Sequence, residues 1–404
     1  MATQSTLAIL DNHSASLKQV RFQPGSNSNS VLATSSRDGT VQIWDLRCKG
    51  NSGPRQSWNA VERGPVTRSG RPPTYGRAIY TIYDAHRQVD RNVLNPLLPT
   101  GSDMPGHGEG AGRIGDVSVT ALSFLPQSNE HLLLTASEAE TSVMLWDLRS
   151  LHSKANRKKP QVAVSKTRQP DTHNQWRHFG VNSINVSGDG SRFYALCRDN
   201  TIYAYSTSHL ILGHAPELSL DNPGRRLPPQ ETKEGLGPMY GFRHQKLHAT
   251  SFYVKSALRK AKDGQSEMLA CGSSDGCAIL FPTDERYLPK HQPCEQTDTT
   301  GVPIFSRRPG LRRAGSGIGI STRVEEKIPI SMNGTPLIRG HDREVGSLTW
   351  TADGELVTLG DDFLIRCWRE GEDARDLRIG GEGEGRRWAC GWADVDEKYD
   401  EDDG

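Results

Sequence analysis

The sequence predicts an all-β protein built from repeated small antiparallel sheets, and three observations lead to this fold class. A strand-like pattern that closes on an aromatic residue recurs five times in the 404 residues. The chain has 41 glycines and 23 prolines, and only 34% of its residues are hydrophobic, which favours short strands and many turns. No run of about 18 apolar residues occurs, so no membrane-spanning helix is predicted.

The recurring pattern keeps a fixed distance between an acidic residue and the closing aromatic. In chain order the copies read VLATSSRDGTVQIWD, LLLTASEAETSVMLWD, FYALCRDNTIYAYS, LACGSSDGCAILFP and LVTLGDDFLIRCWR. The aromatics are Trp44, Trp146, Tyr205, Phe281 and Trp368. Six positions before each stands an acid, namely Asp38, Glu140, Asp199, Asp275 and Asp362. An acid followed by Gly or Asn favours a tight hairpin, so most copies predict two strands joined by a short turn.

A further strand is predicted about 20 to 25 residues before each aromatic, in SLKQVRF, SVTALSFLP, GVNSINVS, SFYVKSAL and EVGSLTW. Gly340-His341 stands 27 residues before Trp368, and His13 and His248 precede their own first strands. A Gly-His at the start of a four-stranded unit and a Trp-Asp near its third strand are typical of WD repeats. The sequence therefore resembles a WD-repeat β-propeller with five recognisable blades.

The WD-repeat resemblance implies structural roles for the polar residues of the pattern. In that family a buried network joins the histidine, a strand hydroxyl, the turn acid and the tryptophan, which suggests His13, Thr34 or Ser36, Asp38 and Trp44 in the first blade. We expect these residues to hold blades together and to have no catalytic role. The full predicted set is His13, Asp38, Asp199, Asp275, His341, Asp362 and Trp368.

The spacings between the aromatics, 102, 59, 76 and 87 residues, exceed the usual WD repeat of about 40 to 45. Long, largely disordered surface loops rich in Gly, Pro, Ser and Arg account for the excess. The predicted division is an outer strand and first blade in 1–47, an insertion in 48–115, the second blade in 116–150, a basic linker in 151–176, the third blade in 177–214, a loop in 215–240, the fourth blade in 241–285, an insertion in 286–333, the fifth blade in 334–372 and an acidic tail in 373–404. Because STLAIL before His13 resembles the outer strand of a preceding unit, one or two amino-terminal blades are expected to be missing.

Charge and motif content argue against several function classes. The net charge of +1 recommends neither nucleic acid nor an anionic membrane as a direct partner. The seven cysteines form no CxxC pair, so no zinc site is predicted and a reducing compartment is the simpler interpretation. The GxGxxG match at 110–115 precedes a strand where a nucleotide site needs a helix. We therefore predict no enzyme activity, no cofactor and no small-molecule substrate. The basic run at 154–168 is a nuclear localisation element, a weak phosphate contact or a solvated loop.

One tetrapeptide, Trp-Asp-Leu-Arg, occurs at 44–47 and again at 146–149. Because side chains alternate along a strand, each arginine shares a side with the aspartate two residues before it, at one rim of the propeller. A rim arginine is a good interface anchor, since its planar guanidinium carries several donors. The alternative is an ion pair within the blade, which contributes little when exposed.

This tetrapeptide resembles the Trp-Asp-x-Arg motif by which substrate receptors dock on the damage-specific DNA-binding adaptor protein of cullin-four RING ubiquitin ligases. HATSFYVKSAL at 248–258 and ACGSSDGCAILF at 270–281 are similar to the denticleless family of such receptors. The resemblance implies a nuclear, non-catalytic substrate-recognition subunit that binds the cullin-RING ligase core through its adaptor and presents sliding-clamp-bound replication and cell-cycle proteins for ubiquitination. The implied adaptor-binding residues are Trp44, Asp45, Arg47, Trp146, Asp147 and Arg149.

The client-binding residues are not identified by the sequence. Because clamp-bound degrons are basic next to their anchor, the resemblance implies an acidic or aromatic propeller face as their complement. The alternative function is a WD-repeat scaffold of another nuclear assembly, which would use the same blades without the adaptor.

Overall fold

The computed structural model describes residues 8–25, 30–48, 74–86, 117–151, 161–175, 179–212, 232–262, 264–284, 286, 328–337, 340–370 and 391–392. These residues form five sheets of four or five strands and a separate two-stranded pair. The described α-helices are short, at Leu148–Leu151, Asp171–Gln175 and Thr207–Leu212, with a 3-10 turn at Gln127–Asn129. The predicted all-β class is therefore confirmed.

The five sheets, named blades 1 to 5, follow the five predicted repeats in chain order. Blade 1 contains Leu17–Phe22, Val31–Ser36, Val41–Asp45 and Ala78–Ile82. Blade 2 contains Val119–Phe124, Leu132–Ser137, Met144–Asp147, Ser165–Lys166 and Lys233–Glu234. Blade 3 contains Val181–Val186, Arg192–Cys197, Thr201–Ser206, Tyr240–Phe242 and Ile330–Ser331. Blade 4 contains Ser256–Arg259, Met268–Cys271, Ala278–Pro282 and Thr335–Leu337. Blade 5 contains Val345–Trp350, Leu356–Gly360, Ile365–Glu370 and Gly391–Trp392.

The fourth strand of every blade comes from a segment that the sequence assigned to an insertion, a linker, a loop, the next blade or the tail. Ala78–Ile82 lies in the predicted insertion 48–115 and pairs antiparallel with the third strand of blade 1. Thr335–Leu337, assigned to the fifth blade, completes blade 4. These outer strands are two to five residues long, and a strand of that length has too few alternating positions to give a periodic signal.

The two-stranded pair lies before blade 1. Ala8–Ile9 pairs in parallel with Thr74–Tyr75, and the amide of Gly76 donates to the carbonyl of Ile9 at 2.8 Å. A Cβ at Gly76 would contact the ring of Trp44 and the side chain of Leu10. The segment before His13 is therefore a short strand beside the tryptophan of blade 1.

In blades 1, 3, 4 and 5 the hairpin turn between the second and third strands contains one residue in the left-handed conformation. Gly39 and Gly276 have φ of 75° and 74°, whereas Asn200 and Phe363 hold the corresponding turns at 63°. Glycine and asparagine tolerate this conformation, but it costs a residue with a large Cβ substituent about 1–2 kcal/mol. Phe363 therefore occupies a strained turn position.

Successive blades pack face to face through apolar clusters. The first strand of each blade neighbours the first strand of the next, and the Leu122 amide of blade 2 donates to Gln19 Oε1 of blade 1 at 2.7 Å. Tyr194 and Phe242 of blade 3, for example, pack with Phe281 of blade 4 in one buried cluster. Burial on both faces explains why these strands are nearly all apolar and do not alternate strictly.

Large apolar side chains are about half exposed or more on blades 1 and 5. They are Leu17, Val20 and Phe22 on the first strand of blade 1, and Leu359 and Ile365 on blade 5. The expectation that one or two further blades precede blade 1 stays a prediction.

Close contact between blades 4 and 5 predicts a large effect of adding one methyl group at Gly272. A Cβ there would fall well inside van der Waals distance of the Val345 carbonyl oxygen, which belongs to backbone. We expect Gly272→Ala to lower the free energy of unfolding by about 1–3 kcal/mol, measured by guanidinium denaturation. Gly237→Ala is the matched control, because its Cβ would only touch Arg168 at 4.0 Å. Equal denaturation midpoints for Gly272→Ala and Gly237→Ala would contradict the close approach of Gly272 to the Val345 carbonyl.

Candidate functional site

Both Trp-Asp-Leu-Arg segments lie where the third strand of a blade ends. The Leu46 amide donates to the Ser30 carbonyl at 2.8 Å, and the Leu148 amide donates to the His131 carbonyl at 3.0 Å. Both acceptors belong to loops between first and second strands. We call this side of the blades the WDLR face, and the opposite side, formed by the second-to-third-strand turns and the loops before the first strands, the turn face.

The two arginines make the same bidentate contact with their aspartates. Arg47 donates from Nε to Asp45 Oδ1 at 2.9 Å and from Nη2 to Oδ2 at 2.7 Å. Arg149 donates from Nε to Asp147 Oδ1 at 3.1 Å and from Nη2 to Oδ2 at 3.0 Å. Each backbone amide of the arginines also donates to the same aspartate, at 2.9 Å. The predicted ion pair within the blade is thus present in both blades.

The contact with arginine changes the pKa of both aspartates. The side-chain hydrogen bond from Arg47 lowers the pKa of Asp45. Burial by itself raises the pKa of Asp147, but the hydrogen bonds and the charge of Arg149 outweigh it, so the pKa is lowered. Both aspartates are therefore ionised at neutral pH and hold their arginines by charge-assisted hydrogen bonds.

The arginines remain accessible in spite of the pairing. Their side chains are 60% and 69% exposed at Arg47 and Arg149, whereas the two aspartates are 14% and 21% exposed. An exposed ion pair contributes little to stability. The pairing does fix the guanidinium plane and leaves the Nη1 donors pointing away from the aspartate, so a partner would meet a pre-oriented arginine.

The structure does not place the two tryptophans on this rim. Trp44 and Trp146 are buried, and their indole Nε1 groups donate to Thr34 Oγ1 at 2.8 Å and to Thr135 Oγ1 at 2.9 Å. A buried indole cannot reach a partner, so these two tryptophans lie outside the surface that an adaptor would contact. They anchor the strand that carries the aspartate and arginine.

The polar network of blade 1 joins four of the predicted residues. His13 Nε2 is 2.7 Å from Thr34 Oγ1, and His13 Nδ1 is 3.1 Å from Asp38 Oδ2. Burial raises the pKa of Asp38, but the hydrogen bonds from His13 and Thr40 outweigh burial, so the pKa is lowered. Because Thr34 Oγ1 contacts His13 and also accepts the Trp44 indole N–H, the threonine hydroxyl links the histidine to the tryptophan.

Blade 5 repeats this network. His341 Nε2 is 2.8 Å from Thr358 Oγ1, and His341 Nδ1 is 3.0 Å from Asp362 Oδ2. The Trp368 indole donates to Thr358 Oγ1 at 2.9 Å. Blades 1 and 5 thus share one histidine–threonine–aspartate–tryptophan arrangement.

Two of the predicted network acids have other partners. Asp199 accepts the hydroxyl of Tyr203 at 2.6 Å, and Asp275 accepts Lys246 Nζ at 3.5 Å in a half-exposed ion pair. Blade 3 closes on Tyr205 and blade 4 on Phe281, and neither ring has an indole N–H to donate to a strand hydroxyl. The acid of blade 3 thus contacts a tyrosine, and the acid of blade 4 pairs with a lysine.

Sequence reasoning missed the histidine of blade 2. His86 is buried, and its Nε2 is 2.9 Å from Thr135 Oγ1, the hydroxyl that also accepts the Trp146 indole. His86 lies inside the predicted insertion 48–115, far from its blade in sequence. The signal that could have identified it is the small-residue–His pair Ala85-His86, which resembles Gly340-His341.

A third aspartate–arginine pair was also missed. After the third strand of blade 4, Arg286 Nε donates to Asp284 Oδ2 at 2.9 Å, and the Arg286 amide donates to Asp284 Oδ1 at 3.0 Å. The aspartate of this pair lies three residues after the closing aromatic Phe281. In the WDLR segments the aspartate lies one residue after the closing tryptophan. A search for Asp-x-Arg after any closing aromatic would have found it.

Within the described part of the chain, no three His, Cys, Asp or Glu side chains are grouped to hold a metal ion. None of the helices in those ranges is long and apolar enough to cross a membrane. The predicted basic run lies outside the described residues over 154–160, and the predicted acidic tail lies outside them except for 391–392.

Comparison with known proteins bears on the repeat and on the whole chain. The family model "WD domain, G-beta repeat" matches residues 4–45 and 334–369. The chain is 26% identical over 356 residues to "Cell division cycle protein cdt2" of Schizosaccharomyces pombe, covering 88% of this chain and 48% of that protein.

Denticleless proteins of vertebrates also match. The chain is 22% identical over 380 residues to "Denticleless protein homolog A" of Xenopus laevis, covering 94% of this chain and 38% of that protein. It is 22% identical over 361 residues to "Denticleless protein homolog" of Homo sapiens, covering 88% of this chain and 34% of that protein. The chain thus spans less than half the length of these three relatives.

Proposed function

The chain is a denticleless-like WD-repeat protein, and from this premise we propose that it is the substrate-recognition subunit of a cullin-four RING ubiquitin ligase. It docks on the damage-specific DNA-binding adaptor protein and presents sliding-clamp-bound replication and cell-cycle proteins for ubiquitination in the nucleus. The chain itself supplies proximity and orientation, and the ligase core performs the chemistry.

One observation carries the proposal. Consecutive blades 1 and 2 present the same exposed, pre-oriented arginine on one face, at Arg47 and Arg149. The fold has no need of these arginines, because exposed ion pairs contribute little to stability. Arginines held in a fixed orientation at a rim are typical of interface anchors, which often contribute 2 kcal/mol or more to binding.

The Arg47→Ala, Arg149→Ala double variant tests adaptor docking. We expect it to fold with the wild-type unfolding midpoint, yet to bind the purified adaptor about tenfold or more weakly, because both donor forks are lost. Binding is measured by calorimetry with the full chain and by co-purification of adaptor and cullin from cells. A double lysine variant keeps the charge without the fork, and we expect it to recover only part of the affinity.

The control is Arg37→Ala, which removes an exposed arginine from the turn face of blade 1. It is expected to bind the adaptor as the wild-type chain does. Adaptor binding by the double alanine variant within twofold of wild type would overturn the assignment of these arginines. Stable nuclear partners recovered from the wild-type chain without any ligase subunit would instead support the scaffold function.

A further inference from the structure

Successive blades meet through a junction that the chain repeats four times. The first strand of each later blade neighbours the first strand of the blade before it. At the first junction, Leu122 and Phe124 of blade 2 pack with Val41 and Ile43 of blade 1 in one buried cluster. We call the side of a blade that presents such first-strand residues its leading face, and the side that receives the next blade its trailing face.

The strand register identifies equivalent leading-face positions in different blades. The pairing of first and second strands is interrupted at the same place in blades 1, 2, 3 and 5. Counted from this interruption, equivalent positions are held by Val20, Leu122, Ile184 and Leu348. Leu122, Ile184 and Leu348 are buried against the preceding blade. The leading faces of blades 2, 3 and 5 are therefore part of the core.

The leading face of blade 1, formed by Leu17, Val20 and Phe22, stays accessible. These side chains are 50%, 47% and 51% exposed, whereas their equivalents in blade 2 are buried. The two-stranded pair leaves them open, because its Gly76 lies farther out on the blade, beside the buried Trp44. A patch of exposed apolar side chains marks an interaction site.

The trailing face of blade 5, formed by Leu359, Ile365 and Cys367, is accessible as well. Leu359 pairs with Ile365 as Ser35 pairs with Val41 in blade 1. Val41 is fully buried under blade 2, but Ile365 is 72% exposed. Cys367 is exposed, although the equivalent isoleucine of blade 1 is buried. Blade 5 thus offers the surface that receives a first strand at the junctions inside the chain.

Two cations lie on the first strand of blade 1, at Lys18 and Arg21. Gln19 faces blade 2, because its Oε1 accepts the Leu122 amide at 2.7 Å. Arg21 shares that side of the strand, since side chains alternate. Lys18, at the start of the strand, is therefore the cation of this strand that lies beside the leading face, at its turn-face end.

Blade 5 supplies the opposite charge. At the WDLR-face end of its trailing face, Arg369 Nε donates to Glu355 Oε1 at 2.6 Å, so these two charges cancel. The accessible charged residues at its turn-face end are three acids and one arginine, namely Asp342, Glu344, Asp361 and Arg343. Contact between the two faces would bring Lys18 toward this net negative charge, which favours association.

We propose that the trailing face of blade 5 binds the leading face of blade 1 in a second copy of the chain, head to tail, with the geometry of the junctions between blades. The junctions inside the chain show that a first strand with these apolar positions fits a face of this kind. Further blades of the same chain would cover both faces without a second copy, so the oligomeric state distinguishes the two explanations. Adaptor docking is not required for this contact.

Sedimentation of the purified full chain measures the association. Because two different faces meet, the contact is heterologous and leaves one free face at each end of the assembly. We therefore expect the weight-average mass to rise beyond that of two copies between about 1 and about 100 µM chain. The mass of a single copy throughout this range would overturn the proposal and would favour cover of the two faces by the chain itself.

Variants that each block one face locate the contact. Val20→Asp blocks the leading face of blade 1, and Ile365→Asp blocks the trailing face of blade 5, so each variant alone is expected to stay a single copy. An equimolar mixture is expected to form a dimer with one chain of each kind, since each variant retains the face that the other lacks. Self-association of either variant alone, or no dimer on mixing, would show that the contact is not head to tail.

Controls separate this contact from misfolding and from unspecific apolar association. Val20 and Ile365 are exposed, so their aspartate variants are expected to keep the wild-type unfolding midpoint. Phe22→Asp provides a second leading-face variant should Val20→Asp fail to fold. Leu212→Asp changes an equally accessible apolar residue of blade 3 and is expected to associate as the wild-type chain does. A loss of association in Leu212→Asp equal to that in Val20→Asp would overturn the assignment to the two end faces.

A further measurement separates self-association from adaptor docking. The Arg47→Ala, Arg149→Ala variant is expected to associate as the wild-type chain does, because its arginines lie on the WDLR face. Loss of adaptor binding by this variant has no bearing on the end faces. Failure of the wild-type chain to bind the adaptor, with intact self-association, would remove the ligase function and leave the head-to-tail contact standing.

Discussion

Replacing Thr135 with valine is expected to lower the free energy of unfolding by about 2–4 kcal/mol. The Thr135 hydroxyl is 2.9 Å from both His86 Nε2 and Trp146 Nε1, and all three groups are buried. Valine has nearly the same shape but no hydroxyl, so the indole N–H and the imidazole nitrogen lose their shared partner. Each unsatisfied buried group costs about 1–3 kcal/mol.

Guanidinium denaturation followed by tryptophan fluorescence measures this loss. Thr349→Val is the matched control, since Thr349 is exposed on the first strand of blade 5, and it should stay within about 0.5 kcal/mol of wild type. A Thr135→Val chain that unfolds at the wild-type midpoint would show that water or another group replaces the hydroxyl. It would also show that the His86–Thr135–Trp146 hydrogen bonds do not stabilise the fold.

The Thr135→Val variant also tests how the orientation of Arg149 depends on its strand. Trp146 and Asp147 are consecutive residues of one strand, and Arg149 lies two residues after Asp147, in the short helix that follows. Loosening the indole is therefore expected to disturb the orientation of Arg149 without removing it. A comparison of Thr135→Val with Arg149→Ala would tell whether adaptor affinity depends on the guanidinium alone or also on the strand that fixes it.

The hairpins were the most predictable part of the fold, and the reason is local. The turn acid, the left-handed residue after it and the apolar strand lie within about ten residues, so each short window contains its own signal. The outer strands depend on distant pairing instead. Lys233–Glu234 pairs with Ser165–Lys166 across a long sequence separation, and two polar residues carry no strand pattern of their own.

The site was predictable only in part for a similar reason. Both WDLR segments made the aspartate–arginine pairs visible, but the strands end at Asp45 and Asp147, so a turn and a short helix, not strand alternation, bring each arginine to its aspartate. The WD-repeat resemblance already placed Trp44 in a buried network with Thr34 or Ser36, whereas the histidine of blade 2 was missed because His86 lies 60 residues before Trp146.

Lowering the pH from 6.5 to 4 is expected to remove about 3 kcal/mol of stability through His86 alone. Burial lowers the pKa of His86 from 6.5 to about 4. The unfolded chain therefore takes up a proton in this window that the folded chain refuses, so stability is fully present above 6.5 and falls as the pH falls. No carboxylate relieves the burial, because His86 Nδ1 has no hydrogen-bond partner among the described residues.

Asp38 affects stability in a different pH range. Its folded pKa lies below the ordinary 3.8 because hydrogen bonds from His13 and Thr40 outweigh its burial, so its contribution is lost only as the pH falls below about 4. The slope between pH 6.5 and 4 can therefore be assigned to His86 by comparing His86→Gln with the wild-type chain.

Denaturation midpoints at several pH values are expected to fall less steeply for His86→Gln, while His248→Gln controls for loss of an imidazole outside the network. Should His86→Gln fail to fold, the change in wild-type stability between pH 6.5 and 4 still tests whether the pKa of His86 is lowered. A wild-type stability that stays constant or rises on acidification through this window would mean that His86 is already protonated in the folded blade. A protonated His86 would donate from Nε2 to the Thr135 hydroxyl oxygen, which also accepts the Trp146 indole N–H, so the hydroxyl hydrogen of Thr135 would need another acceptor.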